Sequence, residues 1–176
     1  MKNSTLKKLL LLLFIIPVFA FTSINWITIE LDEKVSVDFP MEPTQQDLSG
    51  NTMWVADINP DSRCMTMLMD FGKMGLDSAQ MAKDISRPEA FDEFKDGMLG
   101  QMKGSSLISE KTTTTLGYKT FELVVDMGKK DTSALNVMHT RAIFINAKMY
   151  ALYFYEKNGK PQDDSRNRFF NSLKIK

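Results

Sequence analysis

Two runs near the end of this 176-residue chain constrain its fold most: Ala142-Ile143-Phe144-Ile145 and Tyr150-Ala151-Leu152-Tyr153-Phe154-Tyr155. Each is apolar or aromatic at every position and too short for a buried helix, which reads as β-strand. Successive side chains of a strand point to opposite faces, so a strand that is apolar at consecutive positions must be covered on both sides. The two belong to the longer segments 135–145 and 148–156, separated only by Asn146-Ala147. A hairpin at the centre of a two-faced sheet is therefore expected.

The remaining strand signals are weaker and more conventional. Trp26–Leu31 and Lys34–Phe39 flank the turn Asp32-Glu33, and Val35, Val37 and Phe39 alternate with Ser36 and Asp38, the period of a strand with one buried face. Pro40 and Pro43 then interrupt any ladder. Thr52–Ile58 and Arg63–Phe71 form a second hairpin over Asn59-Pro60-Asp61-Ser62, where proline presets the turn and Asn and Asp bond back to their own backbone. Ser106–Leu116 and Tyr118–Met127 form a third, with Gly117 at the turn.

Between the second and third hairpins the period lengthens to that of a helix. Leu76, Ala79, Ala82 and Ile85 fall on one helical face. Ser86, with Glu89 three residues on and Pro88 in the first turn, predicts a capping box opening a second helix, whose buried stripe is Phe91, Phe94, Met98, Leu99 and Met102. A last helix is expected from Pro161 to about Ser172, with Asp163 and Asp164 at its positive end, Arg166, Arg168 and Lys174 toward its negative end, and Phe169, Phe170 and Leu173 as anchors. Met65, Phe91, Phe94, Phe144, Leu152 and Phe169 are expected in the core.

The N-terminus carries an address. Lys2, Lys7 and Lys8 precede the apolar run Leu9–Phe19, which ends on Val18-Phe19-Ala20; this is the pattern of a secretory signal peptide, with cleavage expected after Ala20. Thr22, Ser23 and Asn25 stop the run short of the ~20 apolar residues of a membrane span, so the exported chain is not expected to be integral to a membrane. Removing residues 1–20 leaves 21–176 as one ordinary domain. It also removes three lysines and no acids, so 22 basic residues become 19 against 22 acidic ones, a formal charge of −3. A basic surface for nucleic acid is missing.

Chemistry is hard to find in this composition. His139 is the only histidine and Cys64 the only cysteine, which excludes a catalytic triad or a multi-histidine zinc site. A Cys64–His139 dyad is set aside because both residues fall within strands, and Cys64 is expected to be a buried, inert thiol. Asp57–Ser62 begins like a calcium loop, but its sixth position is Ser62 and its twelfth Leu68, where glycine and glutamate are needed. Met65, Met67 and Met69 share a strand face that could hold Cu(I), although methionine more commonly fills irregular cores. Asp38, Asp57, Asp70 and Asp126 would have to converge for carboxylate catalysis. No metal or cofactor is expected.

Trp26, Thr28 and Leu31, followed by Val35-Ser36-Val37-Asp38-Phe39-Pro40-Met41-Glu42-Pro43, resemble the opening of PsbP/DcrB-like exported domains. Arg141-Ala142-Ile143-Phe144, the hairpin 146–153 and the ending Phe169-Phe170-Asn171-Ser172-Leu173 are similar to that group's closing strand pair and helix. The resemblance implies an α+β fold, a mainly antiparallel sheet flanked by helices on both faces. It maps no metal or partner residue onto this chain. The expected function is a non-enzymatic binding or scaffold domain of the cell envelope, periplasmic or extracellular; a carrier of an apolar small molecule or lipid is the alternative, and a carboxylate enzyme a second. For a protein partner the expected contacts are Trp54 and the loop Gly128–Ser133 with Lys129 and Lys130.

Overall fold

The central hairpin organises everything else. In the computed structural model, which describes residues 25–128 and 134–176, segments 135–145 and 148–156 become β8 (Val137–Ile145, two residues shorter than expected) and β9 (Lys148–Glu156). They turn over Asn146, whose φ of 55° is one that asparagine tolerates better than most residues. Both strands are buried along nearly their whole length.

On one flank lie β3 (Thr44–Leu48), β4 (Asn51–Asn59) and β5 (Ser62–Asp70), on the other β6 (Ser106–Thr115) and β7 (Tyr118–Asp126). The result is a seven-stranded antiparallel sheet ordered β3-β4-β5-β9-β8-β7-β6. A second sheet of three strands, β1-β2-β10, joins β1 (Ile27–Glu30), β2 (Val35–Phe39) and the C-terminal pair Lys174–Ile175, which is β10.

The sheet faces divide the core in two. Even-numbered residues of β4, β5 and β9 and odd-numbered ones of β8 (Trp54, Cys64, Leu152, Phe154, Ile143) pack against β2 and helix α3 (Asp163–Asn171), which brings Phe169 and Phe170. The opposite face, with Phe121, Leu123, Phe144 and Met149, is roofed by α1 (Ser78–Ser86) and α2 (Ala90–Gly100). The architecture is α+β with helices on both faces, as expected.

Several local expectations change. β3 was missed because its sequence Thr-Gln-Gln-Asp-Leu is exposed throughout, and an edge strand with no buried face leaves no period to read. In α1 the buried residue is Met81, while Ala79 and Ala82 are exposed. The capping box does not form: Ser86 is the last residue of α1 and donates to the Ala82 carbonyl, and α2 starts at Ala90, with Glu89 in the N-cap position making no side-chain cap bond. Phe144, Leu152 and Phe169 are buried as expected, but Met65, Phe91 and Phe94 are only half-buried. Residues 1–20, expected to be a signal peptide, and the loop lysines Lys129 and Lys130 lie outside the described residues. Among those described, no helix is long and apolar enough to cross a membrane.

Candidate functional site

The half-burial of Phe94 has a cause. Between the sheet and the α1–α2 roof is an open cavity of about 750 Å³. Its floor is methionine and aromatic: Met67 and Met69 from β5, Met149 and Tyr153 from β9, with Phe144 and Phe121 beyond. Met69 faces Met149 across the ladder, and Met67 faces Ala151, so the small Ala151 leaves room that the flexible thioethers line.

The roof does not fill the space because its helices are short and lightly anchored. Met81 and Ala90 are the only buried residues in the two of them. The α2 stripe facing the cavity includes Phe94, Gly97 and Met98, and at Gly97 an added Cβ would meet nothing within 4 Å. Gly97 therefore adds no side chain to the lining. Phe94 leans on Phe121 and Phe144, with ring centroids 5.6 and 6.3 Å apart. Polar ties hold the roof from outside: Lys95 bridges Asp92 and Glu110 at 2.8 and 2.9 Å, and the Lys119 ammonium donates to the Ile85 carbonyl.

Asp84, Arg87 and Glu93 add charge to the lining. Arg87 is committed to Glu89 at 2.9 Å and to both oxygens of Glu93 at 3.1 and 2.5 Å. Asp84 accepts the Gln80 amide at 2.8 Å.

The polar clusters elsewhere are structural latches. Glu156, buried, accepts from His139 and Arg166 at 3.0 Å and from the Gln162 amide at 3.0 Å, tying α3 to the central strands. Burial alone would raise its pKa, but these hydrogen bonds and the Arg166 charge hold it below the ordinary value. Asp32 accepts from Lys148 and Tyr150 at 2.7 and 2.5 Å and from the Lys34 and Val35 amides at 2.9 Å. Desolvation opposes its ionisation, yet the four donors bring its pKa down to about 2.

The catalytic possibilities raised by the sequence do not assemble. Cys64 and His139 both pair with Phe154, which places them two strands apart, about 10 Å, with the Phe154 ring between. Cys64 is fully buried, and burial pushes its thiol up to about 12. Asp57 pairs with Arg63, Asp70 caps the 3-10 turn Phe71–Met74, Asp126 accepts the Gly128 amide, and Asp38 holds Thr28. The Asp57–Ser62 segment is a hairpin turn, with Asp61 bound to Lys157 and Lys160 at 2.6 and 2.9 Å. Among the described residues no cluster of three or more metal-ligating side chains occurs. Trp54 is 6 % exposed and packs in the core against the small sheet, which leaves a partner little of it to touch. Sequence reasoning allowed for a carrier cavity in a two-faced sheet but named none of these residues as its lining, although Met67 and Met69 of the methionine stripe form its floor.

No family profile matches the chain, and no curated protein is similar to it in sequence. Solved structures do match in shape. Cyanobacterial PsbP (CyanoP) from Synechocystis superimposes with a TM-score of 0.60 at 11 % identity, covering 89 % of this chain and 96 % of the other. The Ran-binding protein Mog1p of Saccharomyces cerevisiae gives 0.50 at 10 % identity, covering 87 % and 96 %. The chain has a PsbP-like α/β fold.

Proposed function

We propose that the chain is a non-enzymatic binding domain, exported to the cell envelope, whose binding element is the methionine- and phenylalanine-lined cavity beneath α1 and α2. The observation that carries this is the cavity itself. Its volume of about 750 Å³ lies within the ~300–1,000 Å³ of small-molecule sites, and its mainly apolar walls with a few polar groups fit the usual pattern. Methionine suits it for an apolar occupant of variable shape, because the unbranched thioether re-packs at little cost. The polar clusters described above are all occupied in holding elements together, which favours binding over catalysis. Export rests on residues 2–20; an intact mass starting at Phe21 supports it, and a chain retaining Met1–Ala20 in the membrane overturns it.

The direct test is binding of a neutral fluorescent apolar probe, N-phenylnaphthylamine, to the purified protein and to Gly97→Leu. The leucine enters open space beside the cavity and adds helix propensity, worth about 1 kcal/mol over glycine, so the variant stays folded while the site is obstructed. Loss of probe binding with unchanged or raised Tm supports the reading. Equal binding by both proteins refutes it.

A protein partner is the second reading, favoured by the Ran-binding description of Mog1p, a protein of the same fold, with contacts proposed at Lys129 and Lys130. Native mass spectrometry of material from its own envelope separates the two: co-purified lipid marks a carrier, a stoichiometric protein a scaffold.

A further inference from the structure

The cavity has a neighbour. A second hollow of about 490 Å³ is lined by Met53, Val55, Met65 and Tyr155, with Arg63 at its edge and no helix residue over it. Met65 and Met67 lie two residues apart on one face of β5, Tyr155 and Tyr153 two apart on one face of β9; the tyrosine rings stack at 6.4 Å. The two hollows thus adjoin along β5. End to end along β5 they run as a trough from Met69 to Arg63, about 20 Å at ~3.3 Å per strand residue, mainly apolar in the first hollow and mixed in the second, where Gln46 and Arg63 join the lining.

The charges along the trough are unevenly satisfied. Both guanidiniums that line it already hold carboxylates: Arg63 binds Asp57 at 2.5 Å, and Arg87 binds Glu89 and Glu93. Asp84 has a hydrogen bond from the Gln80 amide but no cation within salt-bridge distance among the described residues. Among the described lining residues an anionic head would find no free cation and would meet the Asp84 charge. A cationic head would find its counter-ion.

We infer that the trough takes a single linear hydrocarbon chain with a cationic head, the head paired with Asp84 and the chain laid over Met69, Met67 and Met65. This rests on the cavity reading above and names the chemistry of its occupant. Placing an ammonium beside a half-buried carboxylate gives a stronger attraction than in bulk water, and a linear tail matches a site that is long rather than wide.

The test displaces N-phenylnaphthylamine with decylamine, decanol and decanoate, each below its micelle concentration. The expected order is amine, then alcohol, then carboxylate, with about a tenfold step between the first two, which is ~1.4 kcal/mol. Asp84→Asn should bring decylamine to the level of decanol and leave decanol unchanged. Asp84→Lys should invert the order of amine and carboxylate, and circular dichroism checks that both variants are folded. Hexadecylamine should bind more tightly than decylamine, and Met65→Trp, which fills the second hollow, should remove that advantage. Equal displacement by amine and carboxylate, or an Asp84→Asn variant that keeps the preference, overturns the head assignment while probe binding preserves the cavity reading. An unchanged chain-length advantage in Met65→Trp overturns the linear trough. Failure of the fluorescent probe itself to bind overturns both.

Discussion

Removing the Asp32 carboxylate should destabilise the protein more than any surface substitution, because that one group joins the two sheets. Its Oδ1 accepts two backbone amides in the β1–β2 turn, and its Oδ2 accepts Lys148 and the hydroxyl of Tyr150, a residue only 2 % exposed. In Asp32→Ala the Tyr150 hydroxyl loses its partner in a site water reaches poorly, a cost of about 1–3 kcal/mol. The lost turn bonds add about 1 kcal/mol more, so about 3 kcal/mol is expected in all. Asp32→Asn keeps the turn acceptor and should lose roughly half as much.

The same contact makes a pH prediction. The folded pKa is lowered from 3.8 to about 2, so ionised Asp32 stabilises the fold fully above the unfolded value. That stability declines as pH falls through 3.8 and is gone below about 2. Its full size is about 2 kcal/mol, reduced toward 1 by solvent screening, with roughly half lost at pH 3. Urea unfolding of the three proteins at pH 7, 5, 4 and 3 measures both effects. A wild-type advantage over Asp32→Ala below 0.5 kcal/mol at pH 7, or one that does not shrink by pH 3, would refute the reasoning; both thresholds are set at about the scale of surface changes.

Three further outcomes are expected. Leu116 is exposed with φ of 52° beside Gly117 at 87°, a two-residue turn that favours Asn-Gly, so Leu116→Asn should stabilise by about 1 kcal/mol and raise Tm by ~2–4 °C; an unchanged or lower Tm argues against strain there. Cys64, buried and with its thiol raised to about 12, should be inert to a thiol reagent in the native protein and react fully in denaturant, and rapid native labelling would contradict its placement. Phe94→Ala should cost only about 1–3 kcal/mol, below the 3–5 of a fully buried phenylalanine, because part of the ring already faces the cavity; a loss near 5 would mean that the roof is closed.

The large-scale fold was legible where residues repeat with a period. Lys148–Glu156 was bounded correctly as a strand because it is apolar on both faces between turn residues, and Lys34–Phe39 was placed one residue early because its alternation marks the strand Val35–Phe39 but not its end, with Ser36 buried as well as Val35 and Val37. Asp77, the observed cap of α1, was not singled out, and Ser86, expected to open the second helix, instead closes the first, since a capping box is a local pattern whose use depends on packing that the pattern does not contain. β3 left no trace because strand pairing through the backbone needs no side-chain period.

The candidate site belongs to the other class of fact. Met67, Met69, Met149, Phe94 and Gly97 come from two strands and a helix, and nothing in their order along the chain says that they enclose a space. Apolar residues carry the same signature whether their neighbours fill the gap or leave it open. Two short helices roof the sheet with a glycine where a side chain could stand, and that three-dimensional mismatch of volume makes the cavity. Local physics thus decides which faces are apolar; how completely they meet depends on residues far apart in the chain, because volume is shared only among groups that the fold brings together.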